Sequence, residues 1–102
     1  MIKIGNTQLN TLKAITKEEQ AQGLSGKESL PEDTCMIFPF IDIPTQHYFN
    51  TTRMLFPIDI ICIRNGKIIH IEKKVDKGKM LIRLPGSNFI LEMNAGIADK
   101  NE

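Results

Sequence analysis

The 102-residue sequence has no tryptophan, one tyrosine and only two cysteines. Cys35 and Cys62 lie far apart, without the CxxC or Cys/His spacing that is typical of zinc and thiol redox sites. We therefore expect a reduced pair, with a disulfide between the two as the alternative. Cys62 is expected to act as a small buried hydrophobic residue rather than as a nucleophile. No metal ion or other cofactor is implied by these residues.

Long apolar segments are also missing. No run approaches the roughly 20 apolar residues that a membrane-spanning helix needs, and residues 1–6 lack the apolar region of a signal peptide. We expect a soluble protein without a visible export signal, and the sequence assigns no compartment.

An excess of charge of either sign is absent as well. Thirteen basic and twelve acidic residues give a net charge of +1, so the overall charge favours no particular partner. Basic residues gather between Arg64 and Arg83, but no aromatic side chains alternate with them as a stacking platform for single-stranded nucleic acid would require. The sequence gives no specific signal for nucleic-acid binding.

The strongest positive signal is a β-hairpin over residues 56–72. β-Branched residues fill both arms, and Asn65-Gly66 suits the positive φ angles of a two-residue type I′ turn. With 41% hydrophobic residues and a length of 102, the chain is predicted to form one β-rich domain over residues 1–102.

A two-residue turn fixes the predicted register of this hairpin. Ile61 then lies opposite His70, and Asp59 lies opposite Glu72. The same register directs one set of side chains towards a core: Ile58, Ile60, Cys62, Ile69 and Ile71. The other face combines isoleucines with Asp59, His70 and Glu72. Two carboxylates in direct opposition repel, so they would need a proton, a cation or a basic neighbour such as Arg53 or His70. A rim of solvated charges is the commoner interpretation.

Other local signals complete the secondary structure. Thr16 and Glu19 form a capping box, which predicts a short helix that runs to about Leu24 and ends at Gly23 or Gly26. Strands are predicted at Ile2–Ile4, 9–15, 35–38, Gln46–Phe49, 79–84 and 89–93, with a first turn at Gly5-Asn6. Pro39 and Pro44 bracket an edge or loop segment. A helical turn is predicted from Asn94 to Lys100.

The order of these pieces resembles the DUF192 family, also called the uncharacterised protein family 0127. The resemblance runs from about Leu12 to the end and rests on the series 14–16, 19–24, 29–33, 36–40, 57–61 and 91–96. It implies a mainly β fold, a small antiparallel β-sandwich, jelly-roll-like or barrel-like domain with one or two short helices. It implies no established activity, although many relatives look exported.

The chain departs from the family pattern at several positions. The family has a Trp-Met-Lys-Asn-Thr run where this chain has Asn50-Thr51-Thr52-Arg53-Met54, so the pocket is expected to be altered if it depends on that run. Pro57 and Asp59 match. The family pattern also continues into a terminal Gly-Asp stretch, so this chain is expected to be either a fragment or a minimal version.

Three functional hypotheses follow. The first is a non-enzymatic module that binds a small molecule or a protein, with Asp59, Arg53, His70 and Tyr48 as ligand-binding residues. The second is a hydrolase or lyase that uses Asp59 or Glu72 with His70 as acid and base.

The third hypothesis is a metal site, which we rank last because no ligand spacing supports it. Nitrogen and oxygen ligands would come from His47, His70, Asp59 and Glu72, and a soft ion would use Met36, Met54, Met80 and Met93.

Two further expectations concern Asp59 and assembly. Asp59 is the foremost candidate, because it matches the family pattern. The alternative is that its carboxylate only bonds backbone amides at a strand entrance. An exposed strand edge at Ile2–Ile4 or at the C-terminus would allow a homodimer.

Overall fold

The computed structural model describes residues 2–4, 7–43 and 45–99. In these ranges the chain forms a short helix and a series of strands. Their order is β1 (Ile2–Ile4), β2 (Thr7–Lys13), α1 (Lys17–Gln22), β3 (Thr34–Pro39), β4 (Gln46–Phe49), β5 (Ile58–Arg64), β6 (Lys67–Val75), β7 (Ile82–Pro85) and β8 (Phe89–Asn94). The predicted turn at Gly5-Asn6, Pro44 and the end of the predicted turn at Lys100 lie outside the described residues.

Six strands form one curled, half-barrel sheet in the order β1-β2-β3-β8-β5-β6, and β4 pairs with β7 in a second, small sheet. The predicted mainly β fold is confirmed. One pair departs from the antiparallel expectation, because β2 and β3 run parallel. Parallel neighbours need a crossover connection, and α1 lies within that connection.

Apolar side chains cover both faces of the large sheet. The larger cluster contains Ile60 and Cys62 on one face, and the smaller one contains Cys35 and Ile61. Because the two cysteines belong to different clusters, they are buried apart, and both are free thiols. Burial raises the pKa of each thiol to about 11, which suits hydrophobic packing rather than nucleophilic reactivity.

The capping box of α1 is confirmed. The Glu19 amide donates to Thr16 Oγ1 over 3.0 Å, and the Thr16 amide donates to Glu19 Oε1 over 2.9 Å. The backbone amides of Thr16 and Ile15, which both donate to Glu19 Oε1, lower the pKa of the Glu19 carboxyl. Gly23 ends the helix at a φ of 52°, where its amide donates to the Glu19 carbonyl. In the part of the chain that the structure describes, no helix has the length and apolar character needed to cross a bilayer.

The predicted register of the β5–β6 hairpin is correct only next to the turn. Arg64 pairs with Lys67 and Ile63 with Ile68, but Cys62 then pairs with His70. Ile69 is an extra residue on β6, so the pairs of Cys62, Ile61 and Ile60 are shifted by one position. The predicted pairing of Asp59 with Glu72 is therefore wrong.

A second irregularity follows at Asp59. Ile60 pairs with Glu72 and Ile58 with Val75, so β6 has an additional residue in this stretch, where Lys74 adopts a φ of 53°. The Lys74 amide donates to Asp59 Oδ1 over 2.7 Å. Asp59 thus bonds the backbone group that the irregular strand would otherwise leave without a ladder partner.

Candidate functional site

The candidate site is a cavity of about 200 Å³ beside the C-terminal end of α1. Helix α1 and the turn after it form one wall, and strands β3, β4 and β8 with the loop after β4 form the rest. The lining residues are Gln20, Ala21, Gln22, Gly23, Leu24, Ser25, Phe38, Tyr48, Phe49, Asn50, Met54 and Glu92. The lining therefore combines aromatic side chains, amides and one carboxyl.

Glu92 lies on β8, in the middle of the large sheet. Its side chain projects from the face of the larger core cluster, because its cross-strand neighbours Met36 and Ile60 belong to that cluster. The residue is only 5% exposed. Burial raises the pKa of the Glu92 carboxyl to about 7, and a hydrogen bond from the Leu24 backbone partly opposes this shift. The carboxyl is therefore able to gain or lose a proton near neutral pH.

Gly23 allows the chain to pass close to this carboxyl. A Cβ atom at position 23 would lie 3.3 Å from Glu92 Oε1 and 3.2 Å from Phe38 Cζ. Both distances are shorter than ordinary van der Waals contacts between carbon and its neighbours. The glycine that ends α1 thus also leaves room at the floor of the cavity.

Aromatic side chains also line the cavity. The rings of Phe38 and Phe49 meet edge to face, with centroids 5.2 Å apart. Tyr48 is 60% exposed, and its hydroxyl donates to Gln46 Oε1 over 2.8 Å. The cavity therefore has an apolar, aromatic interior and a polar, exposed aromatic residue at its opening.

The loop after β4 is held in place by buried Thr51. Thr51 Oγ1 donates to the Asp76 carbonyl over 2.7 Å and accepts from the Lys79 amide over 2.9 Å. Its neighbours Asn50 and Met54 line the cavity. Residues 50–54, at which an altered pocket is expected from the sequence, belong to this loop.

A wider groove adjoins the cavity on the solvent side. The two share Ala21, Gln22, Ser25 and Asn50, and the groove is also lined by Glu18 and Arg53. The Arg53 carbonyl accepts a hydrogen bond from the Gly26 amide over 3.1 Å, which fixes the loop against the turn after α1. Of the predicted ligand-binding residues, Tyr48 and Arg53 are thus placed in neighbouring parts of one surface depression.

Asp59 lies elsewhere and is fully buried. Besides the Lys74 amide, its carboxylate accepts the amides of Gly96 and Ala98 at Oδ2, each over 2.9 Å. These bonds join β5, β6 and the turn after β8. They match the alternative in which Asp59 bonds backbone amides.

His70 and Glu72 do come together. His70 Nε2 lies 2.7 Å from Glu72 Oε1, with both side chains more than a third exposed on β6, at the edge of the sheet. His70 pairs with Cys62 and Glu72 pairs with Ile60, and both of these partners belong to the larger core cluster. His70 and Glu72 therefore lie on the face of the sheet opposite to Asp59. The predicted triad of Asp59, His70 and Glu72 on one face is wrong, and the cause is the extra residue at Ile69.

His47 is buried on β4, where its ring forms a hydrogen bond with the backbone. Its Nε2 accepts from the Ser87 amide over 3.0 Å, and its ring lies 4.2 Å from that of Phe40, centroid to centroid. Burial lowers the pKa of the imidazole. Across residues 2–4, 7–43 and 45–99, no three His, Cys, Asp or Glu side chains gather as metal ligands.

Sequence reasoning did not single out Glu92 as a site residue. The signal was nevertheless present, because residues 89–93 are apolar on both sides of this glutamate. A strand that is apolar on both faces is central in its sheet, and a carboxyl on such a strand is necessarily buried. Strand alternation alone places Phe89, Leu91 and Met93 on one face and Ile90 and Glu92 on the other, and it does not show which face is covered.

Two solved structures share this fold. One, from Novosphingobium aromaticivorans, is a protein of unknown function with 23% sequence identity and a TM-score of 0.83, and the match covers 90% of this chain and 67% of that one. The other, from Sinorhizobium meliloti, is described as a candidate transcription regulator and has 23% identity and a TM-score of 0.82, covering 90% of this chain and 73% of that one. Among curated proteins there is no significant match.

The sequence itself gives the more specific relationship. The model of DUF192, a family described as "Uncharacterized ACR", matches residues 1–102. The match spans the cavity-lining residues as well as the sheet. This chain belongs to the DUF192 family.

Proposed function

We propose that the protein is a non-enzymatic domain that binds a small molecule in the cavity beside α1, with Glu92 as the anchoring group. The observation that carries the proposal is a carboxyl that is 5% exposed yet lines a cavity. Burial of an ionisable group costs free energy unless a partner compensates for it. A ligand that bonds this carboxyl would supply that compensation.

The size of the cavity supports a small ligand. Its volume of about 200 Å³ is below the roughly 300–1,000 Å³ of drug-sized pockets. The adjoining groove offers room for a further polar part of the ligand. In this proposal Tyr48 closes the opening and Arg53 contacts that polar part.

Asp59 and His70 are left out of the proposed site. The bonds from three backbone amides account for the burial of the Asp59 carboxylate. His70 lies at the sheet edge with Glu72, outside the set of cavity-lining residues.

A thermal-shift screen of the purified protein tests the proposal, with sugars, nucleotides, amines and amino-acid-like metabolites as probes. A ligand at 100 times its Kd should add about 2.7 kcal/mol to the free energy of unfolding. The E92Q variant should lose this shift. The E28Q variant, which makes the same change at an exposed position, should keep it. Equal shifts in E92Q and wild type would contradict the role of Glu92.

A second candidate function is a hydrolase or lyase, and the ionisation of Glu92 favours it. A carboxyl with a pKa of about 7 in a cavity suits general acid or base catalysis at neutral pH. The edge pair of His70 and Glu72 is the alternative acid and base. Turnover of a probe that stabilises the protein would support this function, and turnover lost in E92Q but kept in E72Q would assign it to the cavity.

A further inference from the structure

We infer that the group recognised at the floor of the cavity is an alkylammonium, the positively charged end of a small organic amine. The inference rests on the proposed function and names the chemical class of its ligand. Three properties of the lining residues support it.

The first property is charge. Among the described residues that line the cavity, Glu92 and Tyr48 are the ionisable ones, and lysine, arginine and histidine are absent from the lining. Ionised Glu92 therefore has no cation beside it inside the cavity. A ligand with a positive charge would form a charge-assisted hydrogen bond with this carboxylate.

The second property is the polarity of the hydrogen-bonding groups. Gln20 Nε2 donates to the carbonyls of Ala14 and Pro39, over 3.0 and 2.9 Å. Both of its hydrogens are used, so Gln20 can offer a ligand only its acceptor, Oε1. Glu92 is an acceptor when ionised. The lining also includes Gln22, Ser25 and Asn50, which can donate or accept. The acceptors of Gln20 and ionised Glu92, together with the absence of a cation from the lining, favour a ligand that donates several hydrogen bonds, as an ammonium group does.

The third property is the aromatic wall. Phe38, Tyr48 and Phe49 line the same cavity. The faces of aromatic rings attract ammonium groups through the ring quadrupole. The same rings can also pack against an alkyl chain and bury it. An amine with a short alkyl chain therefore matches both the carboxyl and its aromatic surroundings.

Proton binding sets the expected pH dependence. The strands beside Glu92 present uncharged Met36 and Ile60. Tyr48 is the ionisable residue that β4 contributes to the cavity lining, while Glu18 and Arg53 lie in the adjoining groove. Since an alkylamine remains protonated up to about pH 10, the affinity should follow the ionisation of Glu92. It should fall by up to about tenfold per pH unit below pH 7.

The test is a set of NMR titrations of the full chain with n-butylammonium, n-butanol and butyrate at pH 6 and pH 8. We expect n-butylammonium to shift the amides of residues 20–25 and 92, and to bind more tightly at pH 8 than at pH 6. The two other probes should bind at least about tenfold more weakly at pH 8. E92Q should lose the preference for the amine, whereas E28Q should keep it.

Each contrary outcome has a separate meaning. If n-butanol binds the cavity as tightly as n-butylammonium, the ammonium inference is overturned and the small-ligand proposal stands. If no probe and no member of the thermal-shift screen perturbs the cavity, both fail. The pH series on the wild-type protein requires no variant, so the inference stays testable even if E92Q is poorly folded.

A blocked lysine, with its backbone amine acetylated and its carboxyl amidated, distinguishes two sources of the same group. Tighter binding of n-butylammonium would identify a free amine as the ligand. Tighter binding of the blocked lysine would identify a lysine side chain, and thereby a protein or peptide as its source. Failure of both to bind would overturn the inference.

Discussion

Asp59 and Glu92 are both buried carboxylic acids, but their surroundings give them different roles. Asp59 accepts hydrogen bonds from three backbone amides, which belong to β6 and to the turn after β8. Glu92 accepts from the Leu24 backbone and faces a cavity. The first arrangement stabilises the fold, whereas the second leaves a proton-binding group next to a space that a ligand can fill.

Replacing Asp59 by alanine should destabilise the protein strongly. The change leaves three amides without their acceptor, and each buried amide that loses its partner costs about 1–3 kcal/mol. We expect a loss of at least about 3 kcal/mol in the free energy of unfolding, measured by urea denaturation. D42A removes an exposed aspartate and should change this value by less than about 0.5 kcal/mol. Similar small effects for both variants would contradict the role assigned to Asp59.

The stability of the protein should depend on pH through Glu92. Its pKa is raised from 4.5 to about 7 on folding, so the folded state binds more protons than the unfolded state between these values. The protonated carboxyl therefore makes its full contribution to the free energy of unfolding below about pH 4.5. This contribution is lost as the pH rises through 7. The loss amounts to about 3 kcal/mol.

Urea denaturation of wild type and E92Q at pH 5, 6, 7 and 8 measures this effect. E92Q should gain stability relative to wild type as the pH rises. His47 has a lowered pKa, so it acts in the opposite direction, with stability lost as the pH falls below its unfolded value of about 6.5. It is present in both proteins and cancels in their difference. A difference that does not change with pH would show that the Glu92 carboxyl is not perturbed.

At the scale of elements, Gly23 connects the end of α1 with the cavity floor. G23A places a Cβ atom near Glu92 Oε1 and Phe38 Cζ, whereas a Cβ atom at Gly26 meets no atom within 4 Å. Both glycines have a positive φ, so both variants should lose about 1–2 kcal/mol of stability to backbone strain. Only G23A should also change the pKa of the Glu92 carboxyl, measured by its ¹³C chemical shift during a pH titration. Equal Glu92 pKa values in both variants would contradict this contact.

The hairpin shows how far the sequence determines an element. The sequence of residues 56–72 predicts both arms and the turn, because the strand preference of β-branched residues and the turn preference of Asn65-Gly66 depend on nearby residues alone. The extra residues on β6 could not be predicted from local patterns, and the one near Lys74 involves a distant partner, the Asp59 carboxylate. One inserted residue, Ile69, moved His70 and Glu72 to the other face and removed the predicted triad.

At the scale of the molecule, local signals predicted the elements well and their arrangement less well. The capping box of α1 and most strands follow from short-range patterns. The parallel pairing of β2 with β3 and the central place of β8 result from contacts distant in sequence. Glu92 was missed for the same reason, because its burial depends on β3 and β5 lying on either side. The homodimer through Ile2–Ile4 stays a prediction, and β1 does lie at an edge of the large sheet.

Native-state hydrogen exchange should reflect this arrangement. β8 has a hydrogen-bonded strand on each side, whereas β4 and β7 form a two-stranded sheet. We expect the amides of β8 to exchange more slowly than those of β4 and β7, by roughly a hundredfold or more. NMR exchange rates in deuterated buffer measure the difference. Faster exchange in β8 than in β7 would contradict the sheet order.

The position of β8 has a consequence for synthesis of the protein on the ribosome. β8 is later in sequence than β3 and β5, yet it lies between them in the sheet. A nascent chain that has not reached residue 94 therefore holds two strands whose shared neighbour does not yet exist. Their edges remain open to wrong partners during that interval. Translation must continue past β8, and release it from the exit tunnel, before the six-stranded sheet can close.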